Sequence, residues 1–344
     1  MIRVVHVVWN LAGGGAERLI LDLCRHGPVD LQQVVQPLVG GGEMADHFRV
    51  SGVEVLPPAS RRAHMGPRSL ARLTARVRDF DIVHTHLWAG DLWGRLAGAA
   101  ARRPVVTTEH NTREDAAWRG AVTRSMVPLS RRFIAVSDAA AVGLPQGRVE
   151  VIANGIDLQR HGVRPWPEAP KKRVLFMGRL EPQKGVDVLL SALRQVPECE
   201  VELLGEGRER PRLEAQARAL GGRANFHGWL PDPGPMLDVC RVVVMPSRWE
   251  GFGLVAVEAM AAGRAVIASD VDALPDVLGD VGVLVPADDP QALAAALVEI
   301  FSDPQALRTR AARGPGRAAA FDIRRTAEVT AALYREVVRG QNGV

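Results

Sequence analysis

The sequence predicts an α/β protein made of two doubly wound parallel-sheet domains facing each other across a cleft. Three observations carry this prediction. Short apolar, β-branched runs alternate with segments of helical spacing along the whole chain, the pattern of a parallel sheet covered by helices on both faces. The alternation breaks once, at 158–173, LQRHGVRPWPEAPKKR, where prolines and a cluster of charges read as an interdomain connection. The chain has 344 residues, 47% hydrophobic and 24% charged, which is enough for two buried cores in an ordinary globular composition.

In the first half, strands are expected at Val4–Val8, Val34–Leu38, Val53–Leu56, Asp81–Thr85, Val105–Thr108, Phe133–Val136 and Val149–Ile152. Helical spacing runs over Ala16–Cys24 and Pro67–Val77, where Leu70, Leu73 and Val77 share one face. The middle of the break, 161–172, is read as the linker. Strands then resume at Val174–Met177, Val201–Leu204, Ala224–Phe226, Val242–Met245, Ala265–Ala268 and Val283–Val285, with helices such as Val186–Leu193 and Arg212–Leu220 between them. Beyond Pro290 the pattern is helical to the end. The expected organisation is a first domain over 1–160, a second over 173–320 and a terminal helix over 321–344.

Several classes are set aside by composition. No apolar stretch reaches the roughly 18 residues of a spanning helix. The opening MIRVVHVVW enters a strand directly, without the charged and cleavable parts of a signal peptide, so a cytoplasmic protein is expected. Cys24, Cys199 and Cys240 are widely spaced, form no CxxC pair and read as buried thiols. The net charge of +4 comes almost wholly from arginine and favours anionic partners. Zinc-finger spacing and RNP-type aromatic boxes are missing, so nucleic acid is not among them. Arg68, Arg72 and Arg76 recur at helical spacing opposite the apolar face of Pro67–Val77, which suits peripheral contact with an anionic membrane, at the inner face.

The most informative stretch is Met245–Asp270, MPSRWEGFGLVAVEAMAAGRAVIASD, read as strand, glycine-rich loop, helix, strand. It sets Glu250 in the loop and Glu258 inside the helix, one turn beyond Leu254. Loops after strands and exposed helix N-termini, here near Gly253, are where open α/β sheets bind phosphorylated ligands. A second such loop is FMGRLEPQKG, 176–185, which offers Arg179 as a fork and Lys184 as a point charge, a pair suited to a diphosphate. The glycines 13–15 leave bare backbone before a helix, an anion nest in form. His110 lies just past the end of its strand. His84 and His86 share one strand face, and His86, nearer the end, is the better candidate for the cleft; His84 and His6 read as core residues. Trp9, Trp88 and Trp249 stand at or just past strand ends, where a ring can stack on a sugar.

In combination these motifs resemble glycosyltransferase family 4, retaining, nucleotide-sugar-dependent enzymes of GT-B fold. The resemblance rests on Glu250 and Glu258 as an E-x7-E pair in EGFGLVAVEAMAAG, on GRLEPQKG, and on GGGAER, DIVHTH, TTEHNT, AVSD, NGID, LLGEG and GVLVPADDP in this order along nearly the whole chain. It implies Rossmann-like domains, the first binding the acceptor and the second the donor, and a terminal helix that crosses back to the first. It implies that Arg179 and Lys184 bind the donor diphosphate, Glu258 the ribose and Glu250 the sugar, with the amides of Phe252, Gly253, Leu254 and Val255 facing the donor. His110 matches a histidine at the donor sugar, and Gly15 a glycine whose amide approaches the phosphates. Trp229 and Leu230 close the segment resembling the lining of the base. Gly14, His86, Trp9 and Trp88 remain as acceptor or cleft candidates. The expected activity is metal-independent transfer from a nucleoside diphosphate sugar to an acceptor hydroxyl, lipid-linked or saccharide, in polysaccharide or glycolipid assembly. Alternatives are a donor-binding protein without transferase activity and a nucleotide-sugar epimerase. Asp270-Val271-Asp272 mimics a metal-binding DxD but sits in the wrong architecture, so neither metal nor cofactor is expected. Many relatives carry two glycines where this chain has Asp272 and Ala273.

Overall fold

The computed structural model describes residues 1–113, 117–168 and 172–340, so parts of the expected linker (169–171) and of the terminal stretch (341–344) lie outside the described residues. The chain divides into two compact units. One holds Met1–Gly155 together with the chain from Ile323 onward; the other is Ile156–Asp322.

The first unit is a six-stranded sheet in which every pairing is parallel: β1 (Ile2–Val8), β2 (Leu31–Pro37), β3 (Ile82–His86), β4 (Val105–Glu109), β5 (Arg132–Ala135) and β6 (Val149–Val151), in the order β2-β1-β3-β4-β5-β6. The chain winds outward from β1 to β2, then returns past β1 to β3. Successive connections therefore leave the carboxyl ends of β1 and β3 in opposite directions and open a crevice there. The alternation of side chains across the strands gives two apolar layers. Val5, Val7, Val34, Val83 and Val105 pack with Leu73 and Val77 of helix Pro67–Val77 on one face. Val4, Ile82, Val106 and Ile134 pack with Leu333, Tyr334 and Val337 on the other, so the terminal helix Ile323–Arg339 covers a face of this sheet.

The expected strand Val53–Leu56 does not form. Val55 makes an isolated bridge with Val35, and Pro57 and Pro58 follow at once. Proline has no N–H to extend a ladder, so the pairing stops after one step.

The second unit repeats the plan with β7 (Lys172–Met177), β8 (Cys199–Leu204), β9 (Ala224–Gly228), β10 (Val242–Met245), β11 (Ala265–Ser269) and β12 (Val283–Val285), in the order β12-β11-β10-β7-β8-β9, again with every pairing parallel. Here the reversal falls between β7 and β10. Both central strands are continuous apolar runs, as burial on two faces requires; Val174, Phe176, Val242 and Val244 are at most 2% exposed. The connection read as a linker is strapped along this unit. Arg264, itself buried, donates to the Pro165 carbonyl at 2.6 Å, Arg241 donates to that of Pro167 at 2.9 Å, and Arg164 forms a fork with Asp238 at 2.6 Å on each arm. Among the described residues no helix is long and apolar enough to cross a membrane.

Candidate active site

The reversal between β7 and β10 brings the two loops singled out in the sequence together. Both leave the carboxyl ends of neighbouring strands, one as Gly178–Gly185 and the other as Pro246–Gly253, and their main chains interlock. Arg248 N donates to the Gln183 carbonyl at 2.8 Å, and Gln183 Nε2 donates to the Trp249 carbonyl at 3.0 Å. Gly185 has φ +62°, and a Cβ there would stand 1.9 Å from the Pro246 carbonyl oxygen. Only glycine allows that approach and that backbone conformation together. Behind the first loop, a Cβ on Gly205 would come 1.9 Å from the Gly178 carbonyl oxygen.

This frame fixes the charged groups. Lys184 Nζ donates to Glu250 Oε2 at 2.5 Å, with the side chains 17% and 12% exposed. Glu250 also accepts from Ser247 Oγ at 3.2 Å, and its own amide donates to Asp272 Oδ2 at 2.9 Å. Arg179 is exposed and donates to Gln183 Oε1 at 3.4 Å, so Arg179, Lys184 and Glu250 all stand on the two interlocked loops. Arg248 is clamped by Asp187 at 2.9 and 3.1 Å and by Asp288 at 2.6 Å, which locks the second loop to helix Val186–Leu193. Gly253, φ +96°, caps helix Leu254–Ala261, with Leu254 and Val255 as its first residues and Phe252 buried edge-on against Phe321. Glu258 lies one turn further in, half-buried, with His161 Nε2 3.9 Å from its Oε1; sequence reasoning had left His161 within a connection. Trp229 and Leu230 are half-buried just beyond the end of β9, the edge strand two places from β7.

The first unit carries a different arrangement. Gly14 caps helix Gly15–His26 and Gly15 is exposed, but the glycine loop is already lined by carboxylates. Gly13 N donates to Glu43 Oε2 at 3.2 Å, and a Cβ on Gly14 would stand 2.5 Å from Glu17 Oε2. Trp9 packs against the apolar core beside β1. Trp88 stands edge-to-face with Trp118 at 5.2 Å, and Arg119 lies 4.8 Å over the Trp88 ring. Trp118, 58% exposed, completes an aromatic pair that the strand-end reading did not reach.

His86 is not at the surface of its unit. It is fully buried, with Nε2 2.9 Å from His6 Nδ1 and Nδ1 3.1 Å from His110 Nε2. The two-residue repeat that pairs His86 with His84 also turns it to the same covered face. His84 sits between Tyr334 Oη at 2.5 Å and Thr108 Oγ1 at 2.6 Å. Burial pushes the imidazoles of His6 and His110 down to about 4, the former partly offset by its bond to Gln33, and those of His84 and His86 well below the ordinary histidine value, aided by neighbouring histidines. His6, His84 and His86 bring three nitrogens within metal-ligand reach of one another. Each ring nitrogen of the three already has a hydrogen-bond partner, so the cluster is satisfied as neutral imidazoles.

Other charged features fall elsewhere. On helix Pro67–Val77, Arg72 donates to the Ala59 carbonyl at 2.6 Å and Arg76 to Gln36 Oε1 at 3.0 Å, so two of the three arginines on the basic face bind back to their own unit while Arg68 is exposed. Asp272, at φ +46°, holds the Glu250 amide, and Asp270 is exposed. A cavity of about 620 Å³ lined by Arg131, Arg132, Arg335 and Arg339 lies at the amino end of β5, the wrong end of the sheet for a crevice ligand.

Two doubly wound units, the second with its loops joined at the reversal of strand order, define a glycosyltransferase of GT-B type, and the comparisons agree. Residues 13–160 match the family model Glycosyltransferase Family 4, and residues 171–303 match Glycosyl transferases group 1. The phosphatidyl-myo-inositol mannosyltransferase of Mycolicibacterium smegmatis is 35% identical over 301 residues, 80% of this chain and 78% of that protein. The D-inositol 3-phosphate glycosyltransferase of Segniliparus rotundus is 30% identical over 301 residues, 75% of this chain and 67% of its own. Among solved structures, Anabaena HepE in complex with UDP and glucose superposes with a TM-score of 0.88 at 23% identity, over 98% of this chain and all of that one; at that identity the likeness speaks for the fold. The chain belongs to glycosyltransferase family 4.

Proposed function

We propose that this glycosyltransferase moves a sugar, with retention of configuration and without a metal ion, from a nucleoside diphosphate sugar to an acceptor hydroxyl. The observation that carries the proposal is the pair of interlocked loops, which bear Arg179, Lys184 and Glu250 at the strand-order reversal of the second unit. In this reading Arg179 and Lys184 take the diphosphate, whose charge grows as the glycosidic bond breaks; fixed cations aimed at developing charge usually supply the largest catalytic contribution. Glu258 accepts from the ribose hydroxyls, the first amides of helix Leu254–Ala261 face the phosphates, and Trp229 and Leu230 flank the base. Donor binding draws Lys184 onto phosphate and leaves Glu250, still held by Ser247, to accept from hydroxyls of the sugar. In this reading departure and attack occur on one face, with a leaving phosphate oxygen taking the acceptor proton. The cations at Arg179 and Lys184 do the electrostatic work that a metal does elsewhere, and Asp272 is engaged by a backbone amide.

The first unit takes the acceptor in this reading, with Trp88, Trp9 and Gly14 as its contacts; Gly15 is assigned to the donor phosphates and His110 to the transferred sugar. Two of the relatives carry inositol in their names, which supports a polyol acceptor in glycolipid or polysaccharide assembly. A thermal-shift panel of UDP, GDP, ADP and TDP sugars tests the proposal. One donor is expected to raise the melting temperature strongly by mass action; a flat panel overturns it. Full transferase activity is expected in excess chelator, and strict dependence on added Mn²⁺ overturns the metal-free reading.

A further inference from the structure

Four side chains of the first unit form a single file: Gln33 Oε1 lies 3.0 Å from His6 Nε2, His6 Nδ1 2.9 Å from His86 Nε2, and His86 Nδ1 3.1 Å from His110 Nε2. The direction of every link in this file is determined. Gln33 Nε2 donates to the Leu23 carbonyl at 2.8 Å, and a carbonyl only accepts, so the amide is oriented with Oε1 toward His6. An amide oxygen only accepts as well, so His6 carries its proton on Nε2. A neutral imidazole has one N–H, and the buried rings are neutral at pH 7 because burial opposes their charging. His6 Nδ1 is therefore a bare lone pair, and the proton in the next link belongs to His86 Nε2. The same count leaves His86 Nδ1 bare and puts the proton of the last link on His110 Nε2.

We infer that Gln33, His6 and His86 are positioning residues that lock His110 in the Nε2–H tautomer, so that its Nδ1 is offered as a lone pair to a sugar hydroxyl and not as an N–H to a phosphate oxygen. His110 Nδ1 makes no hydrogen bond among the described residues, and the ring is half-buried at the carboxyl end of β4. A neutral acceptor at that place selects an O–H donor; it repels an anion's oxygen. One additional proton on His6 would reverse both inner links and turn His110 Nδ1 into a donor, so the file also reports how the specificity of His110 depends on proton count. The sugar assignment rests on the proposed function; the tautomer assignment rests on the file alone.

The test is long-range ¹H–¹⁵N correlation NMR of the ¹⁵N-histidine-labelled full-length protein at pH 7.5. The expected spectrum shows His6, His86 and His110 all with protonated Nε2 and unprotonated Nδ1. A His110 ring protonated on Nδ1 overturns the inference from the wild type alone. In Gln33→Met the anchor is gone, and the three rings are expected to move together toward the opposite tautomer; a His110 signal unchanged while the variant stays folded also overturns it. Gln33→Met is further expected to raise the donor KM at least several-fold with a smaller change in kcat. If the NMR results hold and no nucleotide sugar is turned over, the proposed function fails while the relay stands.

Discussion

At the residue scale, the charges on the two interlocked loops already have partners within the second unit. Lys184 and Glu250 neutralise one another at 2.5 Å, so in the proposed reading a donor gains Lys184 only by displacing Glu250. Among the described residues Arg179 forms no ion pair, only a bond to Gln183, and it is expected to be the stronger contributor to donor binding. Arg179→Ala and Glu258→Ala are each expected to weaken donor affinity by more than about 1 kcal/mol, the scale of a charge-assisted hydrogen bond; isothermal titration with the donor from the thermal panel checks this, and unchanged affinity in both removes the site assignment. Glu250→Gln is expected to behave differently, releasing Lys184 and so tightening nucleoside diphosphate alone while lowering kcat with the full donor. Much of this was legible in the sequence, because loop carboxylates and cations next to glycines announce an anion site. The Lys184–Glu250 contact was not, since residues 66 positions apart meet only through strand order. The file from Gln33 to His110 was hidden for the same reason. It depends on the lateral register of β2, β1, β3 and β4, which places His6 beside His84 and which no local pattern encodes.

At the scale of elements, the two loops depend on each other more than on their own strands. Gly185→Ala would force a Cβ toward the Pro246 carbonyl at a backbone angle of φ +62°. The expected cost is about 2 kcal/mol or more, from clash and left-handed strain together, with donor binding lost along with it. Chemical denaturation and the donor thermal shift read the two effects separately; a variant of wild-type stability means the loops do not interlock in solution. Asp272 tells a related story. It sits at φ +46°, a conformation that favours glycine, and its carboxylate holds the Glu250 amide. Helices and strands followed apolar periodicity closely, apart from Val53–Leu56. There, β-branched residues spelled a strand that Pro57 and Pro58 end after one bridge.

At the scale of the molecule, the two units meet acid differently. His6, His84, His86 and His110 are held neutral in the first unit, so their folded-state values lie below the 6.5 of an unfolded histidine. Below 6.5 the unfolded chain takes up protons that the folded unit refuses, so stability is full above that pH and is lost as pH falls toward about 4. His6 alone, displaced from 6.5 to about 4, accounts for about 3 kcal/mol at the end of that window. In the second unit the displaced groups are carboxylates. Asp187 is raised by burial but lowered on balance by Arg248, its own backbone and Arg212 together, and Asp238 is lowered by its bonds to Arg164; these stabilise above the ordinary carboxylate range and fail only below it. Between pH 6.5 and 4.5 hydrogen exchange should therefore rise in β1, β3 and β4 before it rises in β7, β8 and β10. Equal or reversed order speaks against buried neutral histidines.

Much of the interlock at the second unit's strand-order reversal is made by main-chain atoms, the Pro246 carbonyl against Gly185 and the Arg248 amide on the Gln183 carbonyl, with the Gln183 side chain adding a bond to the Trp249 carbonyl. Backbone geometry survives most side-chain replacement. Side chains that make none of these contacts, such as that of Trp249, are therefore expected to be exchangeable for those of a relative while Gly178, Gly185, Gly205 and Pro246 are kept. Donor preference should be retuned through these few positions without refolding the sheet that carries them.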